Sequence, residues 1–272
     1  MGTPEFAVPP LAAVAQACEV TLVVTRPDRP RGRGRHPGAS EVAEAARGLG
    51  LAVWKPESLR TEEARARLVA ERADAFAVVA FGAILPPAVL ALPRAGCVNL
   101  HGSLLPDYRG AAPIQRALWD GRAETGVSTL FMDEGIDTGD VILTARERVR
   151  DDDDAGTLAA RLARLGAPLL VESLRLAAAG RAPRASQDRA AGSYARKLGK
   201  ADGEVDWTLD ADTVWRHARA VTPWPGAAAR FRDARVILLA SRPVAPPHAG
   251  APGELLAVDA AGVVVACGAG AL

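Results

Sequence analysis

The sequence contains few cysteines and no long apolar run, and these shortages exclude several classes of protein. Its three cysteines, Cys18, Cys97 and Cys267, are far apart and form no C-x-x-C pair. They suggest neither a disulfide framework nor a zinc cluster, so we expect a reducing, cytoplasmic compartment and no metal. No run approaches the roughly 18 apolar residues of a transmembrane helix, and the amino end does not read as a signal peptide. We expect the chain neither to cross a membrane nor to be exported.

Lysine is also scarce, since only Lys55, Lys197 and Lys200 occur and the other basic residues are arginine. The 33 Lys and Arg side chains nearly balance the 32 Asp and Glu side chains. This balance excludes a uniformly basic coat for nucleic acid but leaves room for local patches. A chain of 272 residues that is 49% hydrophobic predicts one large or two smaller globular domains.

Asparagine occurs once, at position 99. Val98 and Leu100 alternate with Asn99 and His101, and successive side chains of a strand point to opposite faces. Asn99 and His101 are therefore predicted to share one face. The strand should end near Gly102, because turn and loop formers follow it. Both polar groups would then lie at the carboxyl end of a strand, where open α/β sheets bind ligands.

The first part of the chain predicts an α/β domain. Helical spacing of apolar residues occurs at 5–17, 39–49, 62–72, 112–119 and 155–179, and strand-like runs occur at 19–25, 76–80, 126–132 and 141–149. With the strand that carries Asn99, this alternation indicates a parallel sheet covered by helices. The acidic run Asp151 to Asp154 is interpreted as the amino end of a helix rather than as a metal site.

The second part predicts a small β domain. Residues 180–203 lose their periodicity and are interpreted as a linker. A strand at 205–207 and a helix at 212–220 follow, and then short strands at 228–231, 236–239, 254–258 and 262–266, a pattern typical of a small barrel or sandwich. We therefore predict a catalytic domain over 1–180, a linker over 181–203 and a second domain over 204–272.

A carboxamide beside an imidazole suits the stabilisation of an oxyanion, because both groups present donors that can be fixed before reaction. The glycine-rich segment 132–140 supplies carboxylates between two strands, and Asp137 is best placed by pattern. Such a carboxylate could orient His101 and accept protons through water. No Ser or Cys nucleophile stands in this set, so direct transfer between bound substrates is favoured. A nucleophilic pair of Cys97 and His101 is the alternative.

Arginines are concentrated in one loop. They are Arg26, Arg29, Arg31, Arg33 and Arg35, opposed there only by Asp28. Arginines suit the phosphates of a nucleotide-like ligand or of an RNA backbone, and a solvated basic loop is the alternative. The glycines of this loop match neither the dinucleotide fingerprint nor the P-loop.

Several motifs together resemble the methionyl-tRNA formyltransferase family. They are G-T-P-E-F at 2–6, R-P-D-R-P-R-G-R-G at 26–34, A-F-G-A-I-L-P at 80–86, N-L-H-G-S-L-L-P at 99–106, Y-R-G-A-A-P-I-Q at 108–115, the acidic loop 132–140, D-W at 206–207 and P-W-P-G-A at 223–227. The H-G-S-L-L-P element resembles folate-dependent formyl transferases in general. The arginine loop and the second domain carry the more specific likeness.

The resemblance implies a Rossmann-like parallel-sheet formyltransferase domain followed by a small OB-like β-barrel domain. It implies transfer of a formyl group from 10-formyltetrahydrofolate to the α-amine of methionyl initiator tRNA, without a metal. The catalytic residues would be Asn99, His101 and Asp137. The folate site would be lined by Phe81, Gly82, Ile84, Leu85, Ser103, Leu104, Leu105 and Pro106. The residues implied to contact tRNA are Arg26, Arg29, Arg31, Arg33 and Arg35, and a monomer is expected.

The chain departs from the family pattern at three places. The family has an apolar strand before G-T-P-E-F, whereas Met1 stands there in this sequence, and Leu272 falls within a strand pattern. We therefore expect the first strand of the sheet to be missing and the barrel to be unfinished. Thr222 replaces the asparagine that the family usually has before P-W-P.

Three other functional hypotheses are consistent with some of these features. A formyltransferase for amino sugar nucleotides would use the histidine motif and the arginines, but the arginine loop favours tRNA. Glycinamide ribonucleotide formylation is disfavoured, because that enzyme ends near the linker. A non-catalytic tRNA-binding protein fits the departures at both ends, but Asn99, His101 and Asp137 favour catalysis.

Overall fold

A computed structural model of the chain describes residues 1–31, 36–246, 248–260 and 262–272. The chain divides into two compact units. The first comprises Met1–Arg109, Gly126–Glu147 and Ala159–Tyr194, and the second comprises Gly110–Thr125, Arg148–Leu158 and Ala195–Leu272. The domain boundaries predicted at 180 and 204 stay a prediction.

Several helices begin at a side chain that accepts from a free backbone amide, and the helices that begin at Val8, Pro87 and Pro113 have a proline in their first turn instead. They are α1 (Val8–Ala17), α2 (Glu41–Gly48), α3 (Glu62–Ala70), α4 (Pro87–Leu90), α5 (Pro113–Trp119), α6 (Ala155–Ala178) and α7 (Ala211–Ala220). Ser40 caps α2, Thr61 caps α3 and Asp210 caps α7, each by accepting from a backbone amide three residues on. At α6, Asp154 accepts from the amide of Thr157 at 2.8 Å, as predicted for the acidic run.

The strands of four residues or more follow the predicted runs closely, whereas most of the two- and three-residue strands have no predicted counterpart. They are β1 (Val23–Val24), β2 (Arg29–Arg31), β3 (His36–Gly38), β4 (Val53–Trp54), β5 (Phe76–Val79), β6 (Cys97–His101), β7 (Arg109–Gly110), β8 (Glu124–Phe131), β9 (Val141–Arg148), β10 (Tyr194–Ala195), β11 (Ala227–Phe231), β12 (Ala234–Leu238), β13 (Leu255–Asp259) and β14 (Gly262–Val265).

The central sheet of the first unit has the order β5-β6-β8-β9. The expected parallel pairing holds between β5 and β6 and between β1 and β4, whereas β8 runs antiparallel to β6. Leu100 of β6 lies under α6, and a Cβ added at Gly166 would lie 2.7 Å from its Cδ2. A glycine at this point of α6 therefore lets the helix approach the sheet closely. The face that carries Asn99 and His101 is the opposite one.

The edge of β5 that faces β1 holds the amino end of the chain. The amide of Gly2 donates to Val24, the amide of Val79 donates to Met1, and the terminal amine donates to the carbonyl of Ala77 at 2.6 Å. Beyond these bonds lies a mainly apolar cavity of about 550 Å³ between residues 20–24 and 73–77. The strand predicted at 19–25 is only two residues long, since pairing with β4 is confined to Val23 and Val24.

The second unit has its own core, in which α5 packs against α7 around Ala218, Val221 and Ala227. Its strands form two antiparallel pairs, β11 with β12 and β13 with β14. The strand predicted at 205–207 is wrong. The Asp206 carboxylate accepts from the amide of Thr208 at 3.0 Å, and this local turn ends the extended segment after one bridge between Glu204 and Ala228.

Candidate active site

The carboxyl-terminal half of β6 presents two polar side chains toward one cleft of the first unit. The strand period places Asn99 and His101 on the same face, and both are buried, with 9% and 6% of their surfaces exposed. The parallel neighbour β5 ends beside them, since Val79 is opposite Leu100. The pair therefore lies at the carboxyl end of the parallel strands, as the sequence predicts.

Asp137 reaches this pair from the loop between β8 and β9. Its Oδ1 accepts a hydrogen bond from Nδ2 of Asn99 at 3.2 Å, and its Oδ2 lies 3.5 Å from Nδ1 of His101. Asp137 has a φ of 53°, a left-handed backbone that is uncommon for a residue with a Cβ. The structure thus brings the three residues named from sequence into one cluster.

The carbonyl of Tyr108 determines which nitrogen of His101 carries a hydrogen. It lies 2.8 Å from Nε2, and a carbonyl can only accept, so Nε2 is the donor. Nδ1 then faces the Asp137 carboxylate, whose Oδ2 lies 3.5 Å away. Sequence reasoning missed this carbonyl, because a backbone acceptor has no side-chain signature.

The loop that carries Asp137 is tied by its own side chains. The carboxylate of Asp133 accepts from the hydroxyl of Thr138 at 2.8 Å and from the amide of Gly135 at 3.0 Å. Gly139 passes so close to the strand end that an added Cβ would overlap the carbonyl oxygen of Phe131. These contacts hold the loop near β6 before any substrate binds.

Two residues without a predicted role lie behind this cluster. Gln187 donates to the carbonyls of Asp137 and Gly139, and Arg109 donates to Gln187. Arg109 falls in a motif that carries the family likeness, but Gln187 lies in a segment interpreted as linker. Only the loss of periodicity marked that segment in the sequence, and it gave no functional signal.

A cavity of about 120 Å³ borders Asp137 on the same side. Its lining comprises Ala83, Ile84, Leu85, Leu130, Met132, Asp133, Gly135, Ile136 and Asp137. Of the eight residues predicted to line a folate site, Ile84 and Leu85 are among them. The cavity is mainly apolar and has a carboxylate at its end, which fits part of a flat heterocycle with polar edges.

The other six predicted folate residues are not in the lining of this cavity. Phe81 is buried in the core, and its carbonyl accepts from the hydroxyl of Thr3 at 2.9 Å, while Gly82 turns with a φ of 77°. Ser128 fastens the segment that begins at Ser103, donating to the carbonyl of Ser103 and accepting from the amide of Leu105. This segment comprises four of the predicted folate residues, Ser103, Leu104, Leu105 and Pro106. Their folate-binding role stays a prediction.

The predicted basic loop is described only in part. Arg26 follows β1 and is half-buried, and Arg29 and Arg31 lie in β2, which pairs antiparallel with β3. Arg33 and Arg35 lie outside the described residues. Asp28 forms an ion pair with Lys55.

Cys97 does not support the alternative of a nucleophilic cysteine. Its thiol is buried in the apolar core and donates to the carbonyl of Leu90 at 3.6 Å. Burial raises the pKa of Cys97 to about 12, so the thiol stays protonated at neutral pH. Within the described ranges, no three His, Cys, Asp or Glu side chains converge as a metal site, and no helix is long and apolar enough to cross a membrane.

Comparison with known proteins matches two family models to this chain. The model of the formyl transferases matches residues 9–174, and the model of the formyl transferase C-terminal domain matches residues 197–272. A methionyl-tRNA formyltransferase from Aromatoleum aromaticum is 48% identical over 98% of this chain and 84% of its own length. This chain belongs to the methionyl-tRNA formyltransferase family. Another member, from Xanthomonas axonopodis pv. citri, is 48% identical over all of this chain and 89% of its own length.

Solved structures support the fold of this methionyl-tRNA formyltransferase family member. An N-formyltransferase from Helicobacter canadensis, in complex with folinic acid and dTDP-3-aminofucose, has a TM-score of 0.69 and is 15% identical over 99% of this chain and 95% of its own. HypX from Aquifex aeolicus in complex with tetrahydrofolic acid has a TM-score of 0.64 and is 22% identical over 81% of this chain and 38% of its own. At these identities the likeness concerns the fold alone.

Proposed function

We propose that this chain transfers the formyl group of 10-formyltetrahydrofolate to the α-amine of methionyl initiator tRNA, producing N-formylmethionyl-tRNA. The observation that carries this proposal is the 48% identity with methionyl-tRNA formyltransferases over nearly the whole chain. The cluster of Asn99, His101 and Asp137 supports it, because its donors and its carboxylate suit acyl transfer between two bound substrates.

In the proposed reaction, the neutral amine attacks the formyl carbon and forms a new carbon–nitrogen bond. The formyl oxygen becomes an oxyanion, which accepts from the second N–H of Asn99 and is stabilised by the His101 ring beside it. Asp137 keeps that ring oriented and takes up the amine proton through water. The bond from carbon to N10 then breaks, and N10 leaves with the proton that Asp137 took from the amine, so no proton or electron is gained or lost overall.

The folate supplies the activated formyl group in this scheme. The cavity beside Asp137 holds only part of so large a molecule, since small-molecule sites usually measure about 300 to 1,000 Å³. Ile84 and Leu85 would pack against the apolar faces of the heterocycle, and Asp133 would be near its polar edge. Ser103 to Pro106 would line the remainder of the site.

We propose that the arginine loop binds the acceptor end of the tRNA and that the second domain binds the tRNA backbone. Arginines and phosphates form paired, charge-assisted hydrogen bonds, which suits Arg33 and its neighbours to this role. The proposed compartment is the cytoplasm, where aminoacylated tRNA is found, and the proposed state is a monomer.

The choice of acceptor tests this proposal directly. The purified chain is supplied with labelled 10-formyltetrahydrofolate and one of three acceptors: methionyl initiator tRNA, a dTDP-linked amino sugar, or glycinamide ribonucleotide. We expect formylation of the tRNA alone. Transfer only to the sugar or to the ribonucleotide would contradict the proposed substrate. Binding of tRNA without transfer to any acceptor would support the hypothesis of a non-catalytic tRNA-binding protein.

A further inference from the structure

Two of the residues that hold His101 have a left-handed backbone. Asp137 has a φ of 53° and Tyr108 a φ of 59°, a region that residues with a Cβ rarely adopt. Such conformations persist where the surroundings over-determine them. Both residues lie against one segment of the first unit, residues 187–193, which we call the clamp segment.

Gln187 is the contact between the clamp segment and Asp137. Its Nε2 donates to the carbonyl of Asp137 at 2.9 Å and to the carbonyl of Gly139 at 2.7 Å. One side-chain amide therefore binds the backbone on both sides of Thr138. This arrangement fixes the direction in which the Asp137 carboxylate leaves the loop.

Arg109 sets the orientation of the Gln187 amide. Its Nε and Nη2 donate to Oε1 of Gln187 at 3.1 and 3.0 Å. A guanidinium only donates and an amide oxygen only accepts, so Nε2 of Gln187 must point to the Asp137 loop. Arg109 is buried and also donates to the carbonyls of Asp188 and Ala191, which holds the clamp segment itself.

The same segment holds the Tyr108 carbonyl. The amide of Tyr108 donates to the hydroxyl of Ser193 at 3.0 Å, and the amide of Arg109 donates to the carbonyl of Ser193 at 2.9 Å. Gly192 approaches the backbone of Pro106 so closely that an added Cβ would overlap the Pro106 carbonyl. The peptide between Tyr108 and Arg109 is thus fixed on the side away from His101.

We propose that Gln187 is a positioning residue for formyl transfer, which acts through Asp137 and holds its carboxylate against Nδ1 of His101. The inference rests on the proposed function, because it assigns a role within the same site. Gln187 itself touches no reacting atom. Its two hydrogen bonds to the loop set the geometry of the pair formed by Asp137 and His101.

Gln187→Glu is the variant that separates positioning from support of the fold. A glutamate keeps the shape of the side chain and its bond to Arg109, but it loses the donor that binds the two carbonyls. We expect kcat to fall roughly 100-fold, as for a small displacement of a catalytic group, while the thermal midpoint and the KM for tRNA change little. Gln16→Glu, on the exposed side of α1, is the matched control with unchanged kcat.

A double-variant measurement tests whether Gln187 acts through Asp137. In an Asp137→Asn background, adding Gln187→Glu should cost little further activity, because the group that it positions is already impaired. Losses that multiply would overturn the inference. So would a folded Gln187→Glu variant with the wild-type kcat.

The ring nitrogens of His101 give a readout that does not depend on turnover. The chain has four histidines, so the ¹⁵N signals of His101 can be assigned with a His101→Gln variant. We expect Gln187→Glu to shift the Nδ1 signal and Gln16→Glu to leave it in place. An unchanged Nδ1 signal would overturn the inference, whereas an inactive wild type with the expected shift would count only against the proposed function.

Discussion

His101 and Asp137 meet through Nδ1 and Oδ2, which lie 3.5 Å apart, while the other ring nitrogen is bound to a backbone carbonyl. This arrangement leaves Nδ1 as the nitrogen that can serve the reacting atoms. It also makes the charge of Asp137 part of the site, because the carboxylate lies beside that ring nitrogen.

Replacing Asp137 by Asn removes that charge and keeps the size of the side chain. We expect kcat to fall by a factor of about 100 to 1,000, the usual cost of losing a positioned electrostatic or acid–base partner. The KM for the folate should change much less. Steady-state kinetics with varied folate check this, and a kcat close to wild type would remove Asp137 from the mechanism.

Gly139 leaves no space for a side chain, because an added Cβ would overlap the carbonyl oxygen of Phe131. Gly139→Ala should therefore displace the loop, lower kcat by roughly 100-fold and destabilise the first unit by about 1 to 3 kcal/mol. Gly48→Ala is the control, since nothing lies within 4 Å of its added Cβ. Urea unfolding and activity are measured for both variants. Equal behaviour of the two would contradict the predicted clash.

The amino terminus makes stability depend on pH. Burial lowers the pKa of the Met1 ammonium from 8.0 to about 6. Between those values the unfolded chain binds more protons than the folded chain, so the free energy of unfolding should rise with pH from 6 to 8. The full difference is on the order of 2 to 3 kcal/mol.

Urea midpoints at several pH values check this for the chain with a free amine and for the same chain acetylated at Met1. The difference between the two curves of stability against pH contains the contribution of the amine, because the histidines contribute equally to both. The acetylated chain should lack this part of the slope. Parallel curves would show that the amine is not desolvated.

If the basic loop binds tRNA, a substitution there should change the kinetics with tRNA and leave those with the folate nearly unchanged. Arg33→Ala should raise the KM for methionyl-tRNA and change the KM for the folate little. It should also reduce the slope of log affinity for tRNA against log salt concentration by about one. Arg94→Ala is the control, because that arginine is exposed, pairs with Asp74 and lies outside the basic loop in sequence. Equal losses for both substrates would contradict a role in tRNA binding.

Local patterns were sufficient to predict part of this site. The period of a strand is a local property, so the alternation around Asn99 predicted that it shares a face with His101. The approach of Asp137 is different, since it lies 38 residues beyond Asn99 and meets it only through the pairing of β6 with β8. Its glycine-rich loop marked it as a candidate but could not give the distance.

Other features had no local pattern to predict them. The clamp segment forms side-chain to backbone hydrogen bonds in place of a helix or a long strand, so it lost periodicity and was interpreted as a linker. The predicted strand at 205–207 failed for a related reason, because the carboxylate of Asp206 closes a turn that β propensity does not register. Likewise, residues 19–22 have a strand-like composition, but pairing depends on a neighbour that composition does not reveal.

Formyl transfer from 10-formyltetrahydrofolate to methionyl initiator tRNA, compared between the wild-type chain and a folded His101→Ala variant, tests the central claim most directly. The account predicts N-formylmethionyl-tRNA from the wild type and a loss of at least about 100-fold in kcat for the variant. Equal rates for the two chains would contradict the assigned site, and the absence of product from a folded wild type would contradict the proposed activity.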